Sequence, residues 1–180
     1  MRLFIAILLN ENIKSEVYEI ETRLKERSQG GTFTEKENLH LTVNFIGETK
    51  RLEEVKEAMN RAVAKARAES FTLSFNGIGR FSRKEGDIYW IGVLREEVLW
   101  RLQKELVKEL KNEGFYDLDD REYKPHLTLG RRIRVAKDFD AQAFEAGITP
   151  MQTTVKRLSL MKSERIGGRL TYTEVFYTPF

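Results

Sequence analysis

The chain contains no cysteine, which excludes disulfides, thiolate metal sites and cysteine nucleophiles, and fits a reducing compartment. Histidine is nearly as scarce, with two residues among 180. They are not spaced as a pair of zinc ligands on one element, so the donor set for zinc is poor. No Gly-x-Ser-x-Gly elbow is present to suggest a serine hydrolase. Neither a Gly-x-Gly-x-x-Gly turn nor a Walker A loop occurs, so two common nucleotide-binding signals are missing. Only three prolines are present, and no proline- or glycine-rich linker divides the chain. No apolar stretch approaches the roughly 20 residues of a membrane-spanning helix. The apolar run at residues 3–9 stops at Asn10-Glu11 with no small-residue cleavage site, so we expect a first strand rather than a secretory leader. A cytoplasmic location and no membrane partner are the expectation.

What remains is an ordinary globular composition: 41% hydrophobic and 33% charged residues. The net charge of +3 is mild; it permits a polyanionic partner without demanding one. The length suits a single domain over residues 1–180.

Ile13, Val17, Ile20 and Leu24 recur at helical spacing and predict a helix over residues 12–28, stopped by Gly30 and Gly31. Two more helices are expected over 51–68 and 96–113, and a short weak one over 138–146. Strands are expected at 3–9, through His40 to Gly47, and at 71–75, 88–94, 125–131, 153–163 and 169–178. Residues 76–87 read as a hairpin connection and residues 163–169 as a loop.

The two histidines open the same tripeptide, His40-Leu41-Thr42 and His126-Leu127-Thr128. Threonine fills only 13 of 180 positions, so the double coincidence is not casual. Sliding the chain by 86 positions lays His40 on His126, Leu41-Thr42-Val43 on Leu127-Thr128-Leu129, and residues 4–8 on residues 90–94. Each half then reads strand, helix, loop, histidine strand. We take this as a structural duplication whose two lobes bring one histidine each to a shared seam.

In a strand, residues i and i+2 share a face. His40 therefore points with Thr42, and His126 with Thr128, while Leu41, Val43, Leu127 and Leu129 point into a core. The same alternation places Phe45 in the core. Near neutral pH one imidazole can act as a base while another acts as an acid. Threonine hydroxyls are neutral donors suited to phosphoryl oxygens, so the pattern fits in-line attack on a phosphodiester without a metal or cofactor.

These residues resemble a known family. The segments His40-Leu41-Thr42-Val43-Asn44-Phe45-Ile46-Gly47 and His126-Leu127-Thr128-Leu129-Gly130-Arg131 look like the paired His-x-Thr signature of the two-histidine (2H) phosphoesterase superfamily. The opening Arg2-Leu3-Phe4-Ile5-Ala6, the approach Glu37-Asn38-Leu39 and the pair Lys124-Pro125 make the chain similar to the RNA 2′,3′-cyclic phosphodiesterases, also called LigT-like or 2′-5′ RNA ligases. The resemblance implies a bilobal, pseudo-duplicated α+β fold, with antiparallel sheets lining a central cleft and helices packed outside. It implies hydrolysis of a 2′,3′-cyclic phosphate to a 2′-phosphate, at an RNA end or on a small cyclic nucleotide; a monomer is the expectation. By the same analogy His40 is the proton donor and His126 the proton acceptor, and Thr42, Thr128 and Arg131 bind the phosphate. The near-symmetry of the sequence leaves the two histidine roles interchangeable. Strict alternation would favour Arg132 over Arg131 unless Gly130 introduces a bulge. Two alternatives stand beside hydrolysis: reversible 2′-5′ ligation of RNA, and non-catalytic binding of RNA ends. Arg80, Arg83, Lys84, Arg134, Arg165 and Arg169 are candidates for the cleft mouth.

Overall fold

The computed structural model describes residues 1–119 and 121–180. Among these, no helix is long and apolar enough to cross a membrane. The run at the N-terminus forms strand β1, Arg2–Leu8. It is apolar on both faces because both are covered. Leu3, Ile5 and Ile7 enter the main core, and Phe4 and Ala6 join Met161 in a small cluster on the opposite face.

Helix α1, Glu11–Glu26, is capped by Asn10, whose side-chain oxygen accepts from the Ile13 backbone N–H at 2.9 Å. Strand β2, Ser28–Phe33, follows at once. A single 3-10 turn, Lys36–Asn38, then leads into β3, His40–Glu48. Next come α2, Leu52–Ala66, β4, Phe71–Phe81, β5, Asp87–Val93, and α3, Glu97–Asn112. The second histidine opens β6, His126–Val135. The short α4, Ala141–Ala146, and strands β7, Met151–Val155, β8, Arg157–Ile166, and β9, Arg169–Pro179, complete the fold.

All strand pairs are antiparallel, in the order β7-β4-β5-β6-β3-β1-β8-β9, with β2 added against β6. Along this path four strands lie on each side of a seam between β6 and β3, with β2 as a fifth on the β6 side; the seam is held by the single pair Leu41↔Leu127. The buried faces of α1, α2 and α3 join Leu41, Val43, Ile91, Leu127 and Leu129 in the main core. The helices therefore cover one face of the sheet, and His40 and His126 stand on the other. This is the expected α+β arrangement, with the two sheet halves continuous through the seam.

The duplication is visible in the register. Helices α1 and α3 begin at Glu11 and Glu97 and end at Glu26 and Asn112, an offset of 86 at both ends. The strands before them slip: Ala6 pairs with Thr42, but Trp90 rather than Gly92 pairs with Thr128. The slip is two residues, so each side chain keeps its face.

Three expectations need correction. The segment after α1 is a strand, not a plain stop. Gly31, at φ 148°, lets β2 approach β6 so closely that a Cβ there would lie 2.8 Å from Ile133. The strand expected over 153–163 is two strands, with β7 pairing β4 and β8 pairing β1 in the other half. The chain crosses between halves at Lys156 with no glycine or proline to mark it. Finally, β4 runs on to Phe81, through half of residues 76–87, which read as a hairpin connection.

Candidate active site

A cleft of about 500 Å³ opens on the helix-free face and is lined by His40, Thr42, His126, Thr128 and Arg131 together. The sequence-derived candidates therefore meet in one place. Arg132 does not line the cleft, and its φ is +55°. Of the six basic residues proposed for the mouth, Arg165 lines it, whereas Arg80 is paired with Asp87.

A β-bulge decides between Arg131 and Arg132. Along β5, Trp90 pairs with Thr128 and Tyr89 with Gly130, leaving Leu129 as the extra residue. Along β1, Ala6 pairs with Thr42 and Ile5 with Asn44, leaving Val43 extra. Val43 and Leu129 hold the same place in the two halves. Each bulge reverses the alternation, so Arg131 and Phe45 return to the face of the histidines. Phe45 is 46% exposed and lines the cleft. It is not the core residue that unbroken alternation predicts, because the bulge interrupts that alternation two residues before it.

Both histidines are pinned in the same way. His40 Nδ1 donates to the Asn38 carbonyl at 2.6 Å, and His126 Nδ1 donates to the Lys124 carbonyl at 2.6 Å. A carbonyl only accepts, so Nδ1 carries the proton and Nε2 is the titrating atom. His40 Nε2 lies 2.9 Å from the Thr42 hydroxyl, which donates to the neutral ring. Phe4 and Tyr172 pack on His40 at ring separations of 4.9 and 5.2 Å. Phe81 and Trp90 pack on His126 at 5.1 and 6.0 Å.

These aromatic walls desolvate the imidazoles and hold both below the ordinary histidine pKa. The Asn38 and Lys124 carbonyls oppose the shift, and the nearby Arg131 charge adds to it. Before an anion arrives, the neutral imidazole is favoured at pH 7 in both halves.

The sequence reading missed several lining residues. Asn38 not only accepts from His40 but donates through its side chain to the Leu170 carbonyl at 2.9 Å, tying the β8–β9 hairpin to the site. Thr34 lines the cleft and donates to the Thr128 carbonyl at 2.9 Å. Tyr123 does not line the cleft but supports it, donating to the Thr42 carbonyl at 3.1 Å. These are single polar residues in loops or strand ends, and no spacing advertises them. Among the described residues, no group of three or more His, Cys, Asp or Glu side chains is arranged to hold a metal ion.

Two imidazoles, each followed two residues later by a hydroxyl, thus face one arginine-bearing cleft. The chain belongs to the 2′-5′ RNA ligase superfamily, whose sequence model matches residues 11–167. It is 33% identical over 166 residues to the RNA 2′,3′-cyclic phosphodiesterase of Thermotoga maritima, covering 91% of this chain and 87% of that one. Its identity to the enzyme of the same description from Methanocaldococcus jannaschii is 36% over 159 residues, covering 81% and 87%. In fold it is similar to E. coli LigT, with a TM-score of 0.76 at 24% identity, covering 99% of this chain and 96% of LigT. A protein from Thermus thermophilus gives a TM-score of 0.76 at 26% identity, covering 99% and 97%.

Proposed function

We propose that this chain hydrolyses the 2′,3′-cyclic phosphate at an RNA or nucleotide end to a 2′-phosphomonoester by metal-independent acid–base catalysis. The observation that carries this reading is the matched pinning of both Nδ1 protons, which turns two Nε2 atoms toward one cleft. The naming of relatives as RNA 2′,3′-cyclic phosphodiesterases supports the substrate class. The whole chain, residues 1–180, acts as one domain of two interwoven pseudo-symmetric lobes, and as a monomer.

In this reading His126 Nε2 takes a proton from water as the water oxygen bonds to phosphorus. The bond from phosphorus to the 3′-oxygen breaks, and His40 Nε2 gives its proton to that oxygen. The Thr42 and Thr128 hydroxyls and the Arg131 guanidinium hold the non-bridging oxygens, where charge gathers in the transition state. The incoming phosphate offsets the effect of Arg131 on His40 and favours its protonated form.

The test uses a short RNA ending in a 2′,3′-cyclic phosphate, in EDTA, with wild type, His40→Ala, His126→Ala and the double variant. The expected product is the 2′-phosphate. Each single variant should lose about 10²- to 10⁴-fold in rate, and the double variant little more, because the pair works as a unit. A 3′-phosphate product would refute the assigned leaving group. Joined RNA strands would favour ligation, and binding without turnover would favour an end-recognition protein.

A further inference from the structure

The cleft carries more positive charge than one cyclic phosphate requires. Its lining includes Arg2, Arg131 and Arg165 and no carboxylate. Among the described residues, none of the three forms an ion pair. A cyclic phosphodiester bears one negative charge, and Arg131 with the two threonines already answers it.

The other two arginines stand apart from the histidine end, on the β1 and β8 side. Arg2 pairs across the sheet with Ser163, and Ser163 pairs with Tyr172 on β9. Arg165 follows Ser163 by two residues, and both line the cleft. Arg2 lies four residues along β1 from Ala6, which pairs with Thr42, so about 14 Å of strand separates the two ends at the backbone. Tyr172 links the two ends, since its ring packs on His40. Arg165 is steadied by donating to the Gly168 carbonyl at 2.9 Å. The Arg2 guanidinium rests over the Phe45 ring, 5.0 Å from its centroid, a contact it can readily exchange for a phosphate.

We infer that Arg2, Ser163 and Arg165 form a second phosphate subsite, which takes the 5′-phosphate group of the nucleotide whose cyclic end lies between the histidines. The inference rests on the function proposed above. It makes the enzyme a reader of two phosphates on one nucleotide, so a bare nucleoside 2′,3′-cyclic phosphate leaves the Arg2 and Arg165 end of the cleft empty. Two chemical sources supply that second phosphate: a terminal 5′-monophosphate on a mononucleotide, or the internucleotide phosphodiester of an RNA.

The experiment compares kcat/KM for adenosine 2′,3′-cyclic phosphate, its 5′-phosphorylated form, and the dinucleotide ApA ending in a 2′,3′-cyclic phosphate. Wild type, Arg2→Gln and Arg165→Gln are assayed at low and high salt, with thermal melting to check folding. Wild type should prefer the substrates bearing a 5′-phosphate group by about ten-fold or more. The preference should shrink toward unity in either variant and with added salt. A gain for the dinucleotide supports the subsite with RNA as its source, whereas a gain for the 5′-monophosphate alone supports it with a mononucleotide. Equal kcat/KM for all three substrates in the wild type, or a preference that survives both substitutions, would overturn it. If no substrate turns over, the proposed function fails, and calorimetry decides the subsite separately. Adenosine 2′,5′-bisphosphate should then bind more tightly than adenosine 2′-monophosphate in the wild type and not in the variants. Equal affinities would overturn the subsite.

Discussion

Gly79 offers a sharp test of how His126 is held. It pairs across the sheet with Trp90. A Cβ built there would meet the indole Cη2, Cζ2 and Cζ3 atoms at 2.1, 2.3 and 2.6 Å. Ordinary carbon contacts are about 3.5–4.0 Å, so in Gly79→Ala the ring must move by about 1 Å or more. Trp90 packs against Phe81 and His126, and Phe81 against His126, so the displacement reaches the imidazole. Overpacking of this kind costs about 1–3 kcal/mol in stability. An imidazole misplaced by about 1 Å can lose about 10²-fold in rate. The assay is urea unfolding together with kcat on a cyclic-phosphate substrate. Adding Trp90→Leu to Gly79→Ala removes the overlapping ring atoms and should recover much of the stability. A Gly79→Ala protein with native stability and native kcat would refute this account of His126.

Other outcomes follow from the same geometry. Phe45→Ala removes an exposed ring at the cleft; if a base stacks there, KM should rise by a factor equivalent to about 1–3 kcal/mol, and an unchanged KM would argue against a stacking role. Burial holds both histidines below 6.5, so the acid limb of kcat/KM should fall below pH 6.5. The bound phosphate opposes that shift, so the acid limb of kcat should lie at higher pH; coincident limbs would contradict an anion between the rings. Glu21 is buried in α1, and burial lifts its pKa from 4.5 to about 8. The folded state thus keeps a proton that the unfolded chain releases, and stability should fall as pH rises from about 4.5 through about 8. Glu21→Gln should flatten that slope and stabilise the protein at pH 9 by about 1–3 kcal/mol, as read by denaturant titration. Tyr123→Phe removes the hydroxyl that donates to the Thr42 carbonyl and should cost about 1 kcal/mol by the same method.

Much of the site could be read from two tripeptides, because a strand's two-residue period ties His40 to Thr42 and His126 to Thr128. The helices were legible because α1 and α3 carry their buried residues at regular spacing. What escaped had no local signature. The bulges at Val43 and Leu129 follow from the pairing of β3 with β1 and of β6 with β5, and that pairing is set by the whole sheet. The division of residues 151–166 into β7 and β8 is likewise a matter of which half each strand joins. Arg2 could not be singled out among 31 lysines and arginines, because only the fold sets it beside Ser163.

The paired bulges have a consequence for how a symmetric scaffold handles an asymmetric molecule. The same backbone device delivers Phe45 on one side and Arg131 on the other, at corresponding positions. A nucleotide has a flat, uncharged end and an anionic end. A cleft assembled from two identical copies would greet both ends alike and hold the molecule in either orientation. With Phe45 and Arg131 at corresponding positions, the cleft instead presents an aromatic ring on one side and a cation on the other, and so has a sense of direction.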